Sequence, residues 1–134
     1  MRILGIDYGD KRIGLAFGDS DAQVAVPIDV VPNMGEETIA VFAKRVTAED
    51  IDVIVVGVPL NAGENHSPVQ LEKTRAFIRA LEGSVSVPVM EEDESYTTTE
   101  SIRLQKEEGS AAHKDALAAM LITQGYMDRV ARGE

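Results

Sequence analysis

A chain of 134 residues, 44% hydrophobic and 27% charged, suits one domain (1–134) with a single core and leaves little room for a second. It has no cysteine and only two histidines, His66 and His113, which excludes disulfides, thiolate metal sites and cysteine nucleophiles and speaks against a histidine-rich zinc centre. No apolar run approaches the roughly 20 residues of a membrane helix, and the start lacks the basic n-region of a signal peptide, so a cytoplasmic protein without membrane contact is expected. The formal net charge of −10 opposes general affinity for nucleic acid, which rests on Lys and Arg displacing counterions from phosphates. Divalent cations held at an acidic site, together with a local basic face, would still permit it.

In chain order, three strand-like runs come first, at 2–6, 12–17 and 25–31, punctuated by Gly9, Gly14 and Gly18 at spacings that suit antiparallel hairpins. A helix is predicted over 36–47, with Ile39, Phe42, Ala43 and Val46 forming one apolar stripe. The β-branched run Val53–Val58 has the composition of a strand buried on both faces. Ser67-Pro68-Val69-Gln70 is a capping box with proline at the first helical position; the helix it opens carries Leu71, Thr74, Ile78 and Leu81 on one side. A strand over 85–90 is expected to lead into the acidic run Glu91-Glu92-Asp93-Glu94, and Thr97-Thr98-Thr99-Glu100 is a second capping box whose helix would stop at Gly109. A last helix is predicted over 114–130 with Leu117, Met120 and Leu121 inward. The order βββαβαβαα implies an α/β fold: a mixed five-stranded sheet with helices on both faces, its later strands parallel to the first.

In such sheets chemistry collects beyond the carboxyl ends of the parallel strands. Asp7, in Gly5-Ile6-Asp7-Tyr8-Gly9, stands at one such end, and Asp93 and Glu94 stand at another. Asp115 opens the last helix, where Ala116, Ala118 and Ala119 would let helix and sheet approach closely. If that helix crosses the strand ends, the acidic positions converge. Converging carboxylates repel one another unless a cation joins them, and Mg²⁺ or Mn²⁺ suits oxygen ligands. Such ions can clamp the attacking and leaving oxygens of an in-line phosphoryl displacement. Each position also has a plainer explanation. Asp7 before a glycine suits a turn, 91–94 suits a solvated strand end, and Asp115 suits the positive end of a helix dipole.

Taken together, the opening Gly5-Ile6-Asp7-Tyr8-Gly9-Asp10-Lys11-Arg12-Ile13-Gly14-Leu15-Ala16, the middle Val56-Gly57-Val58-Pro59-Leu60-Asn61, the segment Asp93-Glu94-Ser95-Tyr96-Thr97-Thr98 and the close Asp115-Ala116-Leu117-Ala118-Ala119 resemble the YqgF/RuvX family. These are bacterial ribonuclease-H-like proteins described as Holliday junction resolvases and as nucleases that mature the small-subunit ribosomal RNA precursor. The resemblance covers nearly the whole chain. It implies a ribonuclease-H-like fold and Mg²⁺-dependent (or Mn²⁺-dependent) cleavage of phosphodiester bonds, with processing of the 5′ end of pre-16S ribosomal RNA as the expected activity and junction cleavage as the alternative. It places catalytic metal ligands at Asp7, at Asp93 or Glu94, and at Asp115. Lys11 and Arg12 are then the expected phosphate contacts, and Asn61 a contact to substrate or to a metal-bound water, although Asn61 before Gly63 equally suits a turn.

Two departures from the family pattern bear on substrate. Ser95 stands where arginine usually follows Asp-Glu, and Gly109-Ser110-Ala111-Ala112-His113-Lys114 replaces a basic stretch. Both remove positive charge from the rim, so weaker or partner-assisted binding of RNA or branched DNA is expected, with ribosomal particles or another protein as the assisting surface. Two other classes compete. A non-catalytic binding module of the same fold would explain the missing basic residues but not the clustered carboxylates. A nucleotide-binding domain like those of sugar kinases would explain Asp7-Tyr8-Gly9 but needs two such domains to enclose its ligand.

Overall fold

Strand alternation sends successive side chains to opposite faces, and in this protein that rule sorts the apolar residues into two cores. The computed structural model describes residues 1–60, 68–94 and 111–134, with the backbone alone for 111–113. Within them the elements are β1 (Arg2–Asp7), β2 (Arg12–Asp19), β3 (Val24–Pro32), α1 (Glu36–Ala48), β4 (Val53–Val58), α2 (Pro68–Glu82), β5 (Val89–Asp93) and α3 (Ala111–Ala131). The five strands form one sheet in the order β3-β2-β1-β4-β5. β1 pairs antiparallel with β2 and β2 with β3, whereas β1–β4 and β4–β5 are parallel. The mixed sheet expected from the order of elements is therefore present, and β4, flanked by β1 and β5, has all six residues buried.

On one face Leu4, Ile6, Ile13, Leu15, Ile54, Val56 and Val58 meet Phe42 and Val46 of α1 and Phe77, Ile78 and Leu81 of α2. Tyr8 joins this core from the end of β1, its ring 4.6 Å from that of Phe77. On the other face Ile3, Val53 and Val55 meet Ile122, Tyr126 and Met127 of α3. The helices thus lie on both faces, as predicted.

Two expectations need correction. The fifth strand runs from Val89 to Asp93 rather than over 85–90. The amide of Val85 is spent on the carbonyl of Leu81 at the end of α2, so that segment closes a helix before Pro88 turns it into the ladder. The acidic residues Glu91, Glu92 and Asp93 are consequently in the strand and paired with Val56, Gly57 and Val58. An edge strand tolerates them because arginines answer them on each face. Arg75 of α2 donates to Glu91 at 3.0 and 3.1 Å, and Arg129 of α3 donates to Glu92 at 3.1 and 2.7 Å. The second correction concerns α3. Met120 and Leu121 are only half-buried, and its inward face is built from Ala116, Leu117, Ala119, Ile122, Thr123, Tyr126 and Met127. The helix predicted between Thr97 and Gly109 lies outside the described residues, as do Asn61 and Ser95.

α3 owes this small inward face to glycines in the sheet beneath it. A Cβ on Gly5 would fall on Oγ1 of Thr123 and lie 3.1 Å from the carbonyl oxygen of Ala119; one on Gly18 would lie 2.6 Å from Cγ2 of Thr123. Thr123 is fully buried, and its hydroxyl is satisfied within the helix by donating to the carbonyl of Ala119 at 2.7 Å. Gly5→Ala is expected to cost about 1–3 kcal/mol through overpacking. Urea unfolding should show a lower midpoint with an unchanged slope, and Thr123→Ala in the same chain should recover part of the loss. An unchanged midpoint for Gly5→Ala would contradict this packing.

A candidate active site at the carboxyl ends of β1 and β5

Asp7 is the last residue of β1 and shares the α3 face with Ile3 and Gly5. Across the antiparallel ladder it stands opposite Gly14. The missing side chain of Gly14 is what admits α3: a Cβ there would overlap the backbone carbonyl of Asp115 and lie 3.0 Å from the amide nitrogen of Ala116. The first turn of α3 is in this way pressed against the strand end that carries Asp7. Glu94 arrives from the other side. Its amide donates to the carbonyl of Val58 at 3.0 Å, one step beyond β5. Its side chain turns toward α3 over Gly57, where a Cβ would stand 3.2 Å from Glu94 Oε2.

The outcome is a hydrogen-bonded pair of carboxyl groups, Asp7 and Glu94, with Asp115 close enough to act on Asp7 through space. The carboxyl of Asp7 is held well above the usual aspartate range. Desolvation is the main cause, followed by the charges of Glu94 and Asp115 and by the hydrogen bond to Glu94, and Lys114 opposes them. By surface area Asp7 is only half-buried, but protein packs closely around its carboxyl, and that packing governs the cost of charging it. Perturbation of this kind, at the end of a parallel strand, makes this the candidate functional site.

The other expected site residues are distributed unevenly. By alternation Asp93 falls on the α2 side of β5 with Val89 and Glu91, so Glu94 rather than Asp93 meets Asp7. Arg12, at the start of β2, places Nε 3.0 Å from Oδ2 of Asp115. Lys11 is exposed in the β1–β2 turn, which Asn33 fastens by donating from its side chain to the carbonyl of Gly9 at 2.9 Å and from its amide to that of Lys11 at 2.9 Å. Asn61 lies outside the described residues. Sequence reasoning passed over the part played by Gly14 and Gly57, which admit Asp115 and Glu94, and treated Gly14 as punctuation. The signal available was that both alternate in phase with Asp7 or lie beside it in the sheet.

Among the described residues no three acidic or histidine side chains are drawn together tightly enough to cage an ion as placed. The donor chemistry nevertheless fits a hard cation. Among the described residues the side-chain ligands offered are carboxylate oxygens, and Asp7 is enclosed with two further acidic groups. A divalent cation bridging Asp7 and Glu94 would relieve the repulsion that helps raise the carboxyl of Asp7.

Comparison with known proteins adds the following. The family model described as "RuvX: Holliday junction resolvase" matches residues 1–129. A Syntrophus aciditrophicus protein named "Putative pre-16S rRNA nuclease" is 36% identical over 138 residues, covering 98% of this chain and 91% of its own. A protein of the same name from Ruminiclostridium cellulolyticum is 34% identical, covering 98% and 96%. Among solved structures, T. thermophilus RuvC in complex with Holliday junction substrate aligns with a TM-score of 0.60 at 16% identity, covering 96% of each chain. The Fowlpox virus resolvase, in complex with Holliday junction DNA, aligns with a TM-score of 0.59 at 18% identity, covering 97% and 99%. At that identity these two show the fold, which is the ribonuclease-H-like α/β fold expected from the sequence.

A raised carboxyl pKa in the folded state means that the group's favourable contribution is complete below its ordinary value of 3.8 and is lost as pH rises through the raised value. At neutral pH the metal-free protein therefore carries the cost of an enclosed acidic cluster. Asp7→Asn should melt several degrees above the unsubstituted protein at pH 7 without divalent cations, at roughly 3–5 °C per kcal/mol for a domain of this size. The gap should narrow as pH falls toward 4. A gap independent of pH, or of opposite sign, would contradict the enclosed-charge account.

Proposed function

The chain belongs to the RuvX family, and on that premise we propose that it is a single-domain, divalent-cation-dependent nuclease of the cytoplasm. Asp7 and Glu94, joined by Asp115, would hold Mg²⁺ or Mn²⁺, while Asp93, at the same strand end, faces the α2 layer. The observation that carries this is the enclosed hydrogen-bonded pair of Asp7 and Glu94 with Asp115 nearby. When bound, such a cation supplies Lewis acidity for in-line displacement at phosphorus. The chain's own residues do the rest. Asp7 and Glu94 would offer carboxylate oxygens to the cation, the first turn of α3 presents Asp115, and Lys11 and Arg12 meet backbone phosphates at the rim. Asn61 is a further substrate contact on this reading.

The proposed substrate is the 5′ end of pre-16S ribosomal RNA, in keeping with the name of the relatives. Junction DNA, in keeping with the family's description, is the second reading. Symmetric cutting of a junction calls for a dimer, and the free edges of the sheet are poor places to build one. Among the described residues β3 carries Pro27 and Pro32, and β5 carries Glu91, Glu92 and Asp93, devices that discourage edge pairing. A net charge of −10 further favours RNA presented on a ribosomal particle, where another surface contributes to binding. No helix among the described residues is long and apolar enough to cross a membrane.

Cleavage of a pre-16S RNA fragment and of a four-way DNA junction should be compared with and without Mg²⁺. The unsubstituted protein should cut the RNA only with the cation, and Asp7→Asn should lose at least about 100-fold, the upper range for disturbing a metal site even from its outer shell. Equal cleavage by both proteins, or none of either substrate, would refute the nuclease assignment. Cleavage of the junction alone would replace the substrate but keep the site.

A further inference from the structure

Arg12 occupies a place where two partners compete for it. Its Nε is 3.0 Å from Asp115 Oδ2, its side chain is 58% exposed, and that of Asp115 is 23% exposed. The third acidic group of the site is thus tied at the rim by a solvent-facing guanidinium. Guanidinium is also the side chain best matched to a phosphate, which it can engage with two parallel hydrogen bonds. Other cations nearby differ in their ties. Lys73 is 3.4 Å from Asp10, and Lys114 acts on Asp7 through space from the first turn of α3.

We propose that Arg12 is a positioning residue that latches Asp115 away from Asp7 and Glu94, and that a backbone phosphate of the substrate, by taking the guanidinium, frees Asp115 to complete the cation site. This rests on the divalent-cation nuclease reading and deepens it. Three features carry it: the 3.0 Å ion pair, the exposure of the Arg12 side chain, which leaves its guanidinium open to a phosphate, and the absence, among the described residues, of a ready three-carboxylate cage while that pair is made. An exposed ion pair is weak, so a phosphate can displace it. Because binding couplings are reciprocal, substrate then tightens cation binding and the cation tightens substrate binding by the same factor. The cation site is assembled chiefly when a strand is present, which limits idle cation loading in an acidic protein.

The test measures Mg²⁺ affinity by titration calorimetry, with and without a short single-stranded RNA carrying an uncleavable phosphorothioate backbone. In the unsubstituted protein the RNA should tighten Mg²⁺ binding by roughly fivefold, the low end of such couplings. Arg12→Gln should bind Mg²⁺ alone more tightly by a similar factor and gain nothing further from the RNA. Lys114→Gln removes a neighbouring positive charge without touching the ion pair. It should gain less and keep the coupling. Melting curves of each variant would establish that it is folded. An Arg12→Gln protein with unaltered Mg²⁺ affinity and coupling overturns the latch alone. Equal gains in the two variants, with coupling kept in both, also overturn it, because a general field effect then suffices. Absence of any Mg²⁺ binding by the unsubstituted protein overturns the cation site and the latch together.

Discussion

The close seating of α3 on the sheet is the constraint from which the rest follows. Helix and sheet can approach this nearly only where the strands carry no side chain, and Gly5, Gly14, Gly18 and Gly57 supply four such places under one helix. The helix answers with Ala116, Ala119 and Thr123 on its inward side. Larger residues at these positions would lift α3 outward and draw Asp115 off the end of β1. The packing that stabilises the second core is therefore the same packing that assembles the acidic site, and stability and function are coupled through backbone proximity.

That coupling gives the carboxylates of this protein two distinct fates. Glu91 and Glu92 are each answered by an arginine from the helix they face, and these pairs tie the edge strand to α2 and α3. Asp7 is answered chiefly by more negative charge. Such an arrangement costs stability in the absence of a cation. Arg12 stands between the two classes: it neutralises Asp115, but from an exposed position where a phosphate can compete for it.

Much of this was legible in the residues. The continuous β-branched run of β4 marked a strand buried on both faces with its bounds correct, since only such a strand has apolar residues at every position. Gly9 between β1 and β2, the capping signal before α2 and the stripe of α1 marked the order of elements and hence the mixed sheet. β5 was displaced because apolarity was taken as the mark of a strand. Val85 and Val87 pack against the core from outside the ladder, while charged residues enter it because arginines from other elements neutralise them. In α3 the small Ala116 and Ala119 and the large Leu117 do face inward as expected, whereas Met120 and Leu121 are half-buried, because the glycines opposite seat the helix on the line of Ala116, Ala119 and Thr123.

The sequence alone determined which residues carry the candidate chemistry and that they stand at strand ends or at the start of the last helix, because such ends are local properties of the chain. It marked Asp7, Asp93, Glu94 and Asp115 without separating them. Only the tertiary structure decided that Glu94 meets Asp7 while Asp93 faces the other layer, that Gly14 and Gly57 make room for the meeting, and that Arg12 holds Asp115. Those facts depend on how far apart two packed layers stand. That distance is set by the side chains absent from the strands as much as by those present, a property of pairs of segments remote in sequence.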